Sequence, residues 1–137
     1  MKILDTSVLV DIDRGGVEQK VAKLDEEGTH AISMVTVTEL RLGVELQYEN
    51  EGEQYADAMD ALDRLLSRFE ILPVSRPVAT IAAKIIATLQ NSGQQLDDLH
   101  DVYIAATAQN LDVPVVTANV NHFDRIDEIR VIDWKRF

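Results

Sequence analysis

The chain contains no cysteine, which excludes disulfides, thiolate metal sites and cysteine nucleophiles together. No apolar run approaches the roughly 20 residues that span a bilayer, and no basic segment precedes an apolar stretch at the N-terminus. A cytoplasmic protein without a membrane partner is therefore expected. Neither a repeat nor a low-complexity linker divides the 137 residues. That length suits one domain, 1–137, which can bury a core without a staple. A glycine-rich phosphate cradle is also missing, which argues against phosphotransfer on a small substrate.

Positive charge is scarce. Thirteen basic residues face 24 acidic ones, for a net charge of −11. Such a surface repels polyphosphate and weakens non-specific binding to nucleic acid, which relies on Lys and Arg displacing counterions. Arg (8) outnumbers Lys (5) within this acidic coat. A high-salt cytoplasm, as in a halophilic archaeon, would suit it, because screening acts over about 3 Å at 1 M salt. With 46% hydrophobic and 27% charged residues, the chain is globular and not disordered.

What is present is an alternation of short β-like runs with longer helical patterns. Strands are predicted at Lys2–Leu4, His30–Met34, Ile71–Val74, Val113–Thr117 and Arg130–Ile132. Helices are predicted from Val8 to Arg14, capped by Thr6 or Ser7, and over Val17–Glu27. A further helix opens at Thr36 or Thr38 and turns Leu40, Val44 and Leu46 inward; Gly43 within it implies a packing reason. Residues Asn50 to Glu53 read as a loop, and Gln54–Phe69 as an amphipathic helix with Tyr55, Met59, Leu62, Leu66 and Phe69 on one stripe. Pro77 suits the first turn of a helix over Val78–Leu89, and Asp101–Leu111 is apolar nearly all round. The pattern predicts an α/β fold of three layers, α/β/α, around a mostly parallel sheet of four to five strands.

Acidic residues stand where the apolar runs end: Asp5 after the first strand, Glu39 in the helix after the second, and Asp98 and Asp101 at the start of the apolar helix. Ligands of parallel sheets bind beyond the carboxyl ends of the strands. A carboxylate beside an apolar run is costly unless paired, hydrogen-bonded or bound to a cation. Convergence of these acids on a hard divalent ion is therefore expected. An all-oxygen donor set favours Mg²⁺ or Mn²⁺ over Zn²⁺, and the implied chemistry is phosphodiester hydrolysis.

The runs Ile3–Val10, Thr38-Glu39-Leu40, Asp101–Ala108 and Val116-Thr117-Ala118-Asn119 ahead of Phe123 closely resemble the PIN-domain family, and within it the VapC-type toxins. The resemblance spans residues 2 to about 132, in order. It implies a Mg²⁺- or Mn²⁺-dependent endoribonuclease that cuts structured RNA, such as tRNA or rRNA. It also implies a homodimer and a small antitoxin that inserts a segment into the active-site groove. Asp5, Glu39 and Asp101 match the family's first three acids, catalytic and metal-ligating, directly or through water. Thr6 and Ser7 match hydroxyl positions beside the first acid. The fourth acid is absent: Asn119 and His122 occupy its two usual places, and Asn119 takes the catalytic role of a neutral oxygen donor. Asp124 follows Phe123 and substitutes only if the turn bends it inward, while Asp97 and Asp98 stand near a second metal position.

Arg14 and Arg41 are the candidate RNA contacts, against surface ion pairs worth under about 1 kcal/mol. His100 and His122 lack a partner at metal-ligand spacing and read as surface or hydrogen-bonded residues. Two other classes compete: a PIN nuclease of RNA processing outside any toxin–antitoxin pair, and a non-catalytic PIN-like module binding RNA or protein.

Overall fold

Five strands of two or three residues set the frame in the computed structural model, which describes residues 1–49, 52–94 and 98–137. In chain order the elements are β1 (Ile3–Leu4), α1 (Thr6–Arg14), α2 (Glu18–Glu26), β2 (Ala31–Ser33), α3 (Met34–Gln47) and α4 (Glu53–Leu66). There follow β3 (Glu70–Leu72), α5 (Arg76–Asn91), α6 (Leu99–Leu111), β4 (Val115–Thr117) and β5 (Val131–Asp133). The sheet runs β3-β2-β1-β4-β5, and every pairing is parallel. Ile3 lies opposite Ala31 on one side and Val115 on the other.

Alternation along these strands builds two cores. Leu4, Ile32 and Val116 pack on one face with Val8 and Leu9 of α1, Leu24 of α2 and Leu62 and Leu66 of α4. Ile3, Ala31 and Val115 pack on the other with Ile104, Ala105 and Ala108 of α6. Behind α6, its Val102 and Ala106 meet Val78, Ala82 and Leu89 of α5. Helix α6 is buried around most of its circumference, which explains its lack of a polar face. The three-layer α/β/α expectation therefore holds, with five strands.

Chain order reverses at β1: β2 and β3 extend the sheet one way, β4 and β5 the other. The carboxyl ends of β1 and β4 consequently flank the topological switch point, where parallel sheets leave a crevice.

Several expectations are corrected. The N-cap of α1 is Asp5, with extended φ −70° and ψ 156°, not Thr6 or Ser7; its carboxylate makes no capping bond. Helix α3 starts two residues before Thr36, because Ser33 Oγ accepts from the Val35 N–H at 3.2 Å. Leu46 does not face inward: it is 79% exposed, and only Thr36 of α3 is buried. Among the described residues a Cβ at Gly43 would meet nothing within 4 Å, so none of them supplies a packing reason for that glycine. Of the loop at 50–53, Asn50 and Glu51 lie outside the described residues, and Glu53 already belongs to α4. Asp97 also lies outside them.

The C-terminal turn had no expected role, yet Trp134 is fully buried in the core of α1 and α2. Its Nε1 donates to Asp11 Oδ2 at 3.1 Å, Phe137 stacks on it at 5.6 Å, and Lys20 Nζ lies 5.1 Å from its ring centroid.

Candidate metal centre

The switch point is built from hydroxyls and carboxylates. Asp5 is 4% exposed, and its Oδ2 accepts from Ser7 Oγ at 2.7 Å and Thr117 Oγ1 at 2.8 Å. Each hydroxyl in turn accepts a backbone N–H: Ala118 donates to Ser7 at 3.1 Å and Asn119 to Thr117 at 2.9 Å. Two relays of the same polarity, N–H to hydroxyl to carboxylate, thus converge on one oxygen of Asp5. Both hydroxyl hydrogens point at the carboxylate, so the 3.4 Å approach of Ser7 and Thr117 is a contact and not a third bond.

Glu39 reaches the centre from the second turn of α3. Thr6 Oγ1 donates to its Oε1 at 2.7 Å and lies 3.1 Å from the hydroxyl of Thr36. Asp101 sits in the first turn of α6, 5% exposed, with its Oδ2 3.1 Å from His122 Nδ1. Asp98 caps α6 by accepting from the His100 N–H at 2.9 Å. His100 Nδ1 lies 3.2 Å from Asp98 and 3.5 Å from Glu39.

These acids feel one another. Burial foremost, then the charges of Asp98, Asp5 and Glu39, pushes the Asp101 carboxyl up to about 7, against the pull of His122. Glu39 is raised as well, chiefly by burial; the Thr6 hydrogen bond and His100 oppose this, and Asp98 and Asp5 add to it. A buried group of carboxylates that resist ionisation calls for a cation. The donors fit one: ligand atoms of Asp98, Asp101 and His122 all lie within 4.8 Å of one another, and Asp5 and Glu39 border them electrostatically. The carboxylates of Asp5, Glu39, Asp98 and Asp101 are the groups that would hold it.

The remaining candidates fall elsewhere. Asn119 is exposed, precedes the short 3₁₀ turn Val120–His122, and reaches the centre through its backbone N–H. With His122 and Lys135 it lines a groove of about 290 Å³ beside the acids. Asp124 is exposed on the turn beyond and is not among the charges acting on Asp101. Arg14 is exposed at the end of α1. Arg41 is held by α4, its Nη2 2.7 Å from Asp63 Oδ1 and its Nη1 3.5 Å from Met59 Sδ.

Two residues at the centre were not expected there. Thr117 ends a buried apolar strand, and a hydroxyl in that position is a signal in itself. His122 stands just before Phe123, at one of the two places where the resemblance leads to an acid; asking what an imidazole does there would have found it.

Known proteins resemble the chain along most of its length. The PIN domain family matches residues 2–129. A "Ribonuclease VapC1" of Methanocaldococcus jannaschii is 33% identical over 126 residues, covering 92% of this chain and 81% of that protein. A "Ribonuclease VapC" of Rickettsia bellii is 30% identical over 131 residues, covering 95% and 93%. The crystal structure of VapBC-5 from Mycobacterium tuberculosis, a member of the VapBC family of toxin–antitoxin systems, matches with TM-score 0.68 and 28% identity, over 96% of this chain and 97% of that one. Matched over residues 2–129 by one family model, and over more than nine-tenths of its length by relatives 30–33% identical, the chain belongs to the PIN-domain family.

Proposed function

We propose that the protein is a Mg²⁺- or Mn²⁺-dependent endoribonuclease that hydrolyses phosphodiester bonds in structured RNA (tRNA or rRNA). As a single domain over 1–137 it would be the toxin of a VapBC-type pair. The observation that carries the reading is the carboxylate centre at the switch point, with Asp101 driven up to about 7 by burial and by its acidic neighbours. The names of the VapC relatives supply the substrate class and the antitoxin partner.

The chain's own groups divide the labour. Ser7 and Thr117 fix one oxygen of Asp5, and so set which way the carboxylate faces. Thr6 orients Glu39, and His122 restrains Asp101. Asp5, Glu39, Asp98 and Asp101 alone would repel a phosphate; a divalent ion held among them would offset part of that charge, polarise the phosphoryl oxygen and lower the pKa of water at the site. The groove past Asn119 and His122 to Lys135 gives an RNA strand a path beside the acids. Homodimerisation and antitoxin binding both need apolar surface, and Leu42 (52% exposed) and Leu46 (79% exposed) of α3 offer it.

Cleavage of a tRNA and rRNA mixture with Mg²⁺, Mn²⁺ or chelator, followed by sequencing of the RNA ends, tests the proposal. Wild type should cut only with metal, and Asp5→Asn and Asp101→Asn should not cut while remaining folded. Unchanged cleavage in either variant would overturn the assignment. Co-expression with the product of the adjacent reading frame tests the toxin role: rescue of growth is expected.

A further inference from the structure

We infer that His122 is a ligand of the same cation as Asp98 and Asp101, and that its nitrogen biases the centre toward Mn²⁺ and other first-row transition ions over Mg²⁺. The inference rests on the metal-dependent reading above and adds to it a donor of different chemistry.

The geometry is that of a chelate. His122 Nδ1 is 3.1 Å from Asp101 Oδ2, and the set closes with Asp98 within 4.8 Å. Ligand atoms about 2.0–2.2 Å from one ion lie roughly 3–4 Å apart, so the three need little movement to share it. The imidazole is also preorganised. Its backbone N–H donates to Asn119 O at 3.0 Å, and the next residue, Phe123, is fully buried in the sheet's second core. The 3₁₀ turn therefore cannot swing away from α6 without extracting a phenylalanine.

An ordinary surface ion pair accounts less well for the arrangement. Asp101 is nearly inaccessible, while the His122 side chain is 53% exposed, so the imidazole covers the open side of the acid. For Nδ1 to bind a cation the ring proton must sit on Nε2. Imidazole nitrogen suits the later first-row ions, whereas Mg²⁺ holds to oxygen and water. An imidazole among the carboxylates thus discriminates where carboxylates alone would not.

The test uses the full chain with MnCl₂ or MgCl₂ in calorimetry, and pulsed EPR of bound Mn²⁺ to detect directly coordinated ¹⁴N. Wild type should bind Mn²⁺ at least about tenfold more tightly than Mg²⁺ and show the nitrogen signal. His122→Gln should lose that signal and most of the preference. His122→Asp, which restores an all-oxygen set, should bind both ions comparably without the signal. His100→Gln should keep the signal, because the three ligand atoms that lie within 4.8 Å of one another include His122 and not His100. Mn²⁺ binding without nitrogen in wild type, or an unchanged Mn²⁺ to Mg²⁺ ratio in His122→Gln, overturns the inference and leaves the nuclease reading standing. Wild type that binds neither ion overturns both.

Discussion

Replacing Asp101 by Asn should stabilise the metal-free protein while destroying the site. The folded carboxyl is raised to about 7 from an ordinary value of 3.8. The folded state therefore holds a proton that the unfolded chain releases, and stability falls as pH rises from about 4 to 7, staying low above that. Three units at about 1.36 kcal/mol each set a ceiling near 4 kcal/mol. The acids titrate as a group and share the penalty, so about 2 kcal/mol is the expected cost of Asp101 at pH 8. Asn has the same shape and no charge, and removes it. Urea denaturation in chelator should find Asp101→Asn more stable than wild type by about 2 kcal/mol at pH 8, or roughly 6 °C in Tm, with the gap closing toward pH 4. Excess Mn²⁺ should reverse the order, since a ligand at 100 times its Kd adds about 2.7 kcal/mol to wild type alone. A variant that melts at or below wild type in chelator at pH 8 would refute the reasoning, because the acids would then not be straining the fold.

Three further outcomes follow from single positions. Thr117→Val keeps the shape of a buried side chain but removes one donor from Asp5 and the acceptor of the Asn119 N–H, and should weaken Mn²⁺ binding about 10- to 100-fold by calorimetry. Gly43→Ala, in open space within α3, should raise stability by about 0.5–1 kcal/mol in urea titrations, with cleavage unchanged. Trp134→Ala should cost about 3–5 kcal/mol, measured by far-ultraviolet circular dichroism during denaturation, because it empties a fully buried site.

Much of the architecture is legible because parallel strands buried on both faces leave short apolar runs, and the alternating helices leave 3.6-residue stripes. The stripe over Leu62 and Leu66 buries as read. Leu46 fails because periodicity cannot reveal that α3 outruns the core: an apolar residue at the right spacing is exposed if no layer faces it. Cap positions were misplaced because several hydroxyls compete near each start, and the choice depends on distant partners. Ser7 serves Asp5 and Ala118, which leaves it unable to cap α1. For the same reason the acids Asp5, Glu39 and Asp101 were readable as a group from where strands end, whereas Thr117 and His122 were not. Charge draws attention to carboxylates, while a threonine and a histidine become part of the centre only through contacts spanning 112 and 21 residues.

Those spans also set a timetable. The pairing of β1 with β4 joins Ile3 to Val115, and the orientation of Asp5 depends on Thr117. Contacts of such sequence separation form late, because closing a long chain comes before any reward. During synthesis, then, a chain carrying Asp5, Glu39 and even Asp101 still lacks the strand that completes the sheet's switch point. A polypeptide that stops short of Val115 holds scattered acids but no centre, because both the β1 partner strand and the hydroxyl that orients Asp5 are still missing.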